Sequence, residues 1–303
     1  MGSPAFAVPA LEALAGAHEV VGVVTQPDRP AGRGSRLRPP EVKSAAERLG
    51  LPVYQPESLR DAGALSPLEE WRPEVIVVAA FGQILGRDVL DLPPHGCLNL
   101  HPSLLPRWRG ASPISAAILA GDTVTGVTVM RMDEGVDSGP LLAQQREPIR
   151  PDDTAASLGE RLARMGATLL LEVLPSYLDG VLQPWPQPEE GVTFCQPLRK
   201  EDGRLDWSRP AVELARRVRA VTPWPGAFTF WRGQRLNVLR AVAQEDWEGD
   251  APPGTVVAVP GGVAVSTAQG ALRLLELQLA GRRALPCADF LRGQPGLVGA
   301  VLG

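Results

Sequence analysis

Strand-length apolar runs alternate with helical patterns through the first half of the chain: EVVGVVTQ (19–26), EVIVVAAFG (74–82), GCLNLH (96–101) and TGVTVMRM (125–132). Runs that are almost continuously Val, Ile, Leu and Ala imply burial on both faces, as in a parallel sheet covered by helices. Between them PPEVKSAAERLG (39–50) and SPISAAILAG (112–121) read as helices. In the second, Ser112 is a plausible N-cap, Pro113 sits in the first turn and Gly121 stops the helix. A longer helical pattern covers 153–180, and Pro184, Pro186 and Pro188 then mark a linker.

Beyond the linker the pattern changes. One helix, AVELARRVRAV (211–221), precedes short strands set between Gly and Pro turns: GAFTFW, RLNVLRAV, GTVVAV, GVAVST and ALRLLELQ. Several short strands in so short a stretch suggest a small β-barrel of OB-like type. The expected domains are thus residues 1–180, a linker over 181–199, and residues 200–303.

Charge follows the same division. Up to residue 194 there are 16 basic and 24 acidic residues, net −8; beyond it 14 face 10, net +4. A locally basic C-terminal part fits either an anionic partner or a solvated face. The three cysteines, Cys97, Cys195 and Cys287, are an odd number without CxxC spacing, which disfavours a disulfide framework and fits a reducing cytoplasm. No apolar run reaches membrane-spanning length, so no membrane partner is expected, and the N-terminus lacks the pattern of a signal peptide.

Chemistry concentrates in GCLNLHPSLLPRWRG (96–110). Side chains alternate along a strand, so Asn99 and His101 share a face, with Cα atoms roughly 6.6 Å apart. That spacing admits a small carbonyl group between a carboxamide and an imidazole. Cys97 would be about 13 Å from His101, too far for a Cys–His nucleophilic pair. Pro102 ends the strand, which places His101 where open α/β sheets bind ligands. Taken alone, the stretch fits a buried structural histidine equally well.

The rest of the inventory is sparse. The histidines His18, His95 and His101 lack HxH or HExxH spacing, so no metal is expected. GRGSR (32–36) matches neither dinucleotide nor phosphate-loop patterns. DEGVDSG (133–139) offers three carboxylates among glycine turns, as a site or as a solvated loop. Adjacent strand ends in a parallel sheet bring their following loops together. On that basis Asp137 is expected to reach His101, raise its affinity for a proton and orient it, while Asn99 donates to a developing oxyanion. Such a group suits acyl transfer to an amine without a covalent enzyme intermediate.

NLHPSLLPRWRG followed by MDEGVDSG resembles the 10-formyltetrahydrofolate-dependent formyltransferases. FAVPALEAL, VVGVVTQPDRPAGRGSRLRPPEVK (20–43), AAFGQIL (79–85) and RLDWSRPAVELARRVRAVTPWPGAFT (204–229) are similar to the branch that acts on methionyl-tRNA. The resemblance implies a Rossmann-like parallel-sheet formyltransferase domain followed by the OB-like domain, the latter binding tRNA. It assigns Asn99, His101 and Asp137 to catalysis, and Ser103, Leu104, Leu105 and Pro106 to folate binding. Phe81, Gln83, Ile84 and Leu85 would wall the pterin through backbone groups. Arg33, with Arg36, Arg38 and Lys43, would meet the tRNA acceptor end. The implied reaction moves the formyl group of 10-formyltetrahydrofolate to the α-amine of methionyl initiator tRNA, by a cytoplasmic monomer without a metal. A formyltransferase acting on a sugar nucleotide or other small amine is one alternative, and a tRNA-binding protein without activity is another. Two positions depart from the family: Ala5 replaces a common acidic residue and Gly86 a common proline. The family also has an apolar strand before the turn that MGSPAF matches, so further apolar residues are expected ahead of Met1 in the natural chain.

Overall fold

The computed structural model describes residues 1–31 and 36–303. In chain order the strands of the first part are β1 (Val23–Val24), β2 (Arg29–Ala31), β3 (Arg36–Arg38), β4 (Val53–Tyr54), β5 (Ile76–Val78), β6 (Cys97–His101), β7 (Arg109–Gly110), β8 (Val124–Arg131), β9 (Leu141–Pro148) and β10 (Phe194–Cys195). The helices are α1 (Val8–Ala17), α2 (Glu41–Arg48), α3 (Ser66–Trp71), α4 (Arg87–Leu90), α5 (Pro113–Ala120) and α6 (Ala155–Leu178). Contacts divide the chain into two compact units. The first comprises Met1–Pro113, Val124–Pro148 and Gly159–Cys195, and the second Ile114–Thr123, Ile149–Leu158 and Gln196–Gly303.

The first unit is a mixed α/β structure. β1 pairs with β4 and β5 with β6 in parallel, whereas β8 lies antiparallel to both β6 and β9. The parallel arrangement expected for every early strand therefore stops at β6. Between β1 and β5, Gly2 N–H donates to Val24 O at 3.0 Å and Ala79 N–H to Met1 O at 2.9 Å, so residues 1–2 link the two parallel pairs. A cavity of about 470 Å³ adjoins them, lined by Met1, Val23, Val24, Ile76, Val77 and Leu174 among others.

Helix α6 explains how β6 is held. Leu162, Leu170 and Leu174 recur at helical spacing and are almost wholly buried. At Gly166 the helix backbone comes so close to β6 that an added Cβ would sit 2.8 Å from the Leu100 methyl groups. Leu100 thus faces α6, and alternation turns Asn99 and His101 to the opposite face of the strand.

The second unit carries α7 (Ala211–Ala220), β11 (Phe228–Trp231), β12 (Gln234–Gln244), β13 (Val256–Val259), β14 (Gly262–Ser266), β15 (Ala271–Leu279), β16 (Leu285–Pro286) and α8 (Cys287–Gly293). These strands form one antiparallel sheet in the order β11-β12-β15-β14-β13, with β16 added beside β15. Leu214 and Val218 of α7 pack into its core with Leu236, Val238, Leu272 and Leu277. The five expected strands lie within about two residues of those observed, because each was bounded by a turn residue.

Candidate active site

β6 carries Asn99 and His101, both buried. Asp137 comes from the loop after β8. Because β8 runs antiparallel to β6, with Asn99 opposite Met130 and His101 opposite Thr128, that loop starts at the far end of β6 from His101. Asp137 therefore reaches the pair by folding back over the strand. Neighbouring parallel strand ends, the basis for expecting this meeting, do not bring it about. Within the loop, Asp133 accepts from Gly135 N–H at 3.0 Å and from Ser138 Oγ at 2.9 Å. Asp137 itself is left-handed, at φ 48°.

The three side chains meet. Asn99 Nδ2 donates to Asp137 Oδ1 at 3.1 Å, and Gly110 N–H donates to Asp137 Oδ2 at 2.8 Å. His101 Nδ1 stands 3.6 Å from the same Oδ2. His101 Nε2 lies 2.9 Å from Trp108 O, a carbonyl that can only accept. In the neutral ring the proton is therefore on Nε2, and Nδ1 is left with its lone pair. Burial pushes the His101 pKa below its ordinary 6.5; the Asp137 carboxylate and the Trp108 carbonyl pull it back up by less. Asp137 raises the proton affinity of His101 as expected, but desolvation of the cation outweighs this single partly hydrated carboxylate, so the net shift is downward.

The turn after β6 is built on Thr128. Its hydroxyl accepts from Leu105 N–H at 3.2 Å and from Gln144 Nε2 at 3.0 Å, and donates to Ser103 O at 2.6 Å. Gln144 Nε2 also donates to Leu105 O at 2.8 Å. Ser103 is fully buried and its hydroxyl donates to Arg107 O at 2.6 Å. Of the four residues expected to contact folate here, Ser103 and Leu105 face inward and Leu104 and Pro106 are half-buried. Ser103 and Leu105 thus shape the turn.

The segment after β5 lies beside this turn, since β5 and β6 are parallel neighbours with Val78 opposite Asn99. Phe81 and Leu85 are buried, and Ile84 is 74% exposed. Phe81 O accepts from Ser3 Oγ at 3.2 Å and from Gln26 Nε2 at 3.3 Å. Gln83 receives Leu59 N–H on Oε1 at 3.0 Å and donates from Nε2 to Pro56 O at 3.3 Å, holding the neighbouring loop.

The basic residues expected at the acceptor end divide differently. Arg33 lies outside the described residues, as does the side chain of Arg36. Arg38 is exposed and 3.3 Å from Glu41. Lys43 is bound to both oxygens of Asp28 at 2.8 and 2.9 Å, so its charge is partly offset there. The Asp28 carboxyl is held below its usual range by Gln55 and by Lys43.

Sequence reasoning missed a second clamp on the site. Thr193 N–H reaches Pro106 O at 3.3 Å, its Oγ1 accepts from Trp108 N–H at 2.8 Å, and its carbonyl accepts from Arg109 N–H at 2.9 Å. β10 then pairs in parallel with β7. The stretch read as a linker thus builds one wall of the turn at its Phe194–Cys195 end. No local pattern announces contacts of 85 residues' separation.

Comparison with known proteins now adds to this geometry. Residues 2–174 match the family model described as formyl transferase, and residues 197–295 that described as formyl transferase, C-terminal domain. The methionyl-tRNA formyltransferase of Chloroflexus aurantiacus is 53% identical over 97% of this chain and 95% of its own length. The chain belongs to the methionyl-tRNA formyltransferase family. Family members with the same name from Myxococcus xanthus and Thermus thermophilus are 52% and 51% identical, over 97% and 100% of this chain and 93% and 97% of theirs. Among solved structures, WlaRD, a sugar 3N-formyl transferase, aligns with a TM-score of 0.67 at 16% identity, over 93% of this chain and 97% of that one. HypX from Aquifex aeolicus aligns at 0.62 and 22%, over 90% of this chain and 49% of that one. At those identities the likeness is one of fold.

Proposed function

We propose that the protein transfers the formyl group of 10-formyltetrahydrofolate to the α-amine of methionyl initiator tRNA. The observation that carries this reading is the match of both units, at about half of all positions, to relatives named methionyl-tRNA formyltransferase. The geometry of Asn99, His101 and Asp137 supports it. In this reading the amine attacks the formyl carbon and the carbonyl oxygen gains charge. Asn99 has spent one N–H on Asp137 and donates the other to that oxygen. A buried, neutral His101 with Nδ1 unprotonated takes a proton from the attacking amine, and Asp137 stabilises the imidazolium. The proton then follows the electrons to the departing folate nitrogen, and the enzyme returns to its starting state.

The folate lies, in this reading, between the segment 79–85 and the turn 103–106. Arg33, Arg36 and Arg38 approach the acceptor end, and the basic second unit binds the body of the tRNA. Catalytic residues up to 180 and tRNA-binding residues from 200 form the two functional parts. The working form is a cytoplasmic monomer. Among the described residues no helix is long and apolar enough to cross a membrane.

The test is transfer of labelled formyl from 10-formyltetrahydrofolate to methionyl initiator tRNA, with methionyl elongator tRNA and an amino-sugar nucleotide as competing acceptors. Label on the initiator alone is expected. Label on the sugar nucleotide, or tRNA binding without transfer, would move the respective alternative ahead.

A further inference from the structure

Gln187 lies in the proline-rich stretch after α6 and touches neither Asn99 nor His101, yet its carboxamide is wholly engaged around the site. Nε2 donates to Asp137 O and to Gly139 O, both at 2.8 Å. Oε1 accepts from Arg109 Nε at 3.1 Å and from its Nη2 at 2.7 Å. We propose that Gln187 is a positioning residue for formyl transfer, which sets the Asp137 carboxylate against Asn99 and His101. The proposal rests on the reading that Asp137 takes part in the reaction.

Asp137 adopts φ 48°, a left-handed conformation that is less favourable for a residue with a Cβ and that the bonds around it hold in place. Relaxation to ordinary φ would swing the carboxylate away from both partners. The planar carboxamide grips the carbonyls of residues 137 and 139 together, so the chain between them keeps its turn. Arg109, held at the other end of the amide, fixes the rotation of that plane. The next residue, Gly110, donates its N–H to Asp137 Oδ2 at 2.8 Å. Gln187, Arg109, Gly110 and Asp137 thereby form one connected network around the carboxylate, whose Oδ2 accepts from Gly110 and whose Oδ1 accepts from Asn99. At residues 137 and 139 the Gln187 ties need N–H donors, because both backbone carbonyls can only accept.

That polarity gives a discriminating variant. Gln187→Glu keeps size and shape and strengthens the contact with Arg109, but it turns two N–H···O=C bonds into oxygen–oxygen repulsions. With the full-length enzyme, kcat is expected to fall about a hundredfold, as for a reacting group displaced by about 1 Å. KM for methionyl-tRNA and for the formyl donor should each stay within about threefold, since neither binding surface is touched. In an Asp137→Asn background the same change should have no further effect on kcat, and amide exchange at Gly110 should speed up in the single variant. A change that merely loosened the fold would instead multiply with Asp137→Asn. Gln187→Met, neutral and of similar volume, serves if the glutamate variant does not fold, and is expected to behave the same way. Wild-type kcat with unchanged Gly110 exchange, or independent losses in the double variant, would overturn the proposal. If Asp137→Asn alone left kcat intact, the catalytic reading itself would fail, and Gly110 exchange would then decide whether Gln187 positions the loop.

Discussion

At His101 two influences on one proton oppose each other, and burial prevails. The pKa lies below 6.5, so the ring is neutral near pH 7, and the acid limb of kcat/KM is expected below pH 6.5. Asp137 raises this pKa, so Asp137→Asn should move the limb to still lower pH while reducing kcat. Stability carries the same sign. The unfolded chain binds more protons at this residue, so the contribution is complete above about pH 6.5 and is lost as pH falls through the lowered value, which urea titrations at stepped pH would register. His101→Ala should lower kcat by about 10²–10⁴-fold with little change in KM for tRNA, a division that steady-state kinetics reads directly. A loss confined to KM would remove His101 from the proton path. The Asn99–His101 pair was legible because a strand's period of two needs only five residues to display itself. Thr128, Gln187 and Thr193 were not, since a polar side chain that bonds backbone elsewhere leaves no local periodicity.

The pairing of α6 with β6 decides how firmly the reacting face is presented. Gly166 is a helix-interior glycine, and replacing it with alanine would gain about 1 kcal/mol of helix propensity. The added methyl would meet Leu100 at 2.8 Å, inside a core where overpacking costs about 1–3 kcal/mol. The second effect is the larger. Gly166→Ala should lower the melting temperature and also kcat, because Leu100 separates Asn99 from His101 on the same strand. A variant more stable than the parent would show that the interface yields freely. Thr128→Val makes the complementary test on β8: it leaves Leu105 N–H, Ser103 O and part of Gln144 without their partner, at about 1–3 kcal/mol for each group stranded. KM for the formyl donor should rise if the turn shapes the folate pocket. The longer core strands and helices were readable, but β9 and the short elements β2, β3, β4, β7, β10, β16, α3, α4 and α8 were not among those expected. The β9 sequence LLAQQREP buries only the first two residues, so it shows neither continuous apolarity nor alternation. Strand direction was equally invisible, since a buried antiparallel strand such as β8 carries the same apolar run as a parallel one.

Across the molecule, charge is divided unevenly, net −8 up to residue 194 and +4 beyond. A polyanionic acceptor should therefore be held partly through released counterions. KM for tRNA is expected to climb steeply with salt while that for the folate changes little, and Arg33→Ala should flatten the slope. A salt-independent KM for tRNA would assign its recognition to uncharged contacts. The division of the chain into an α/β part and a β part was plain from the change in run length and turn frequency. The role of residues 187–195 was not, because prolines signal a break in regular structure and say nothing of where the broken segment packs. That segment gives the site an order of birth. Trp108 and Thr193 are 85 residues apart, and a ribosome adding about 5–20 residues each second needs about 4–17 s to bridge them. Throughout that interval every growing copy of the chain already carries Asn99, His101 and, for most of it, Asp137. It still lacks Gln187 and Thr193, so the bonds they make to Asp137 O and to Trp108 N–H close only when this segment has been made.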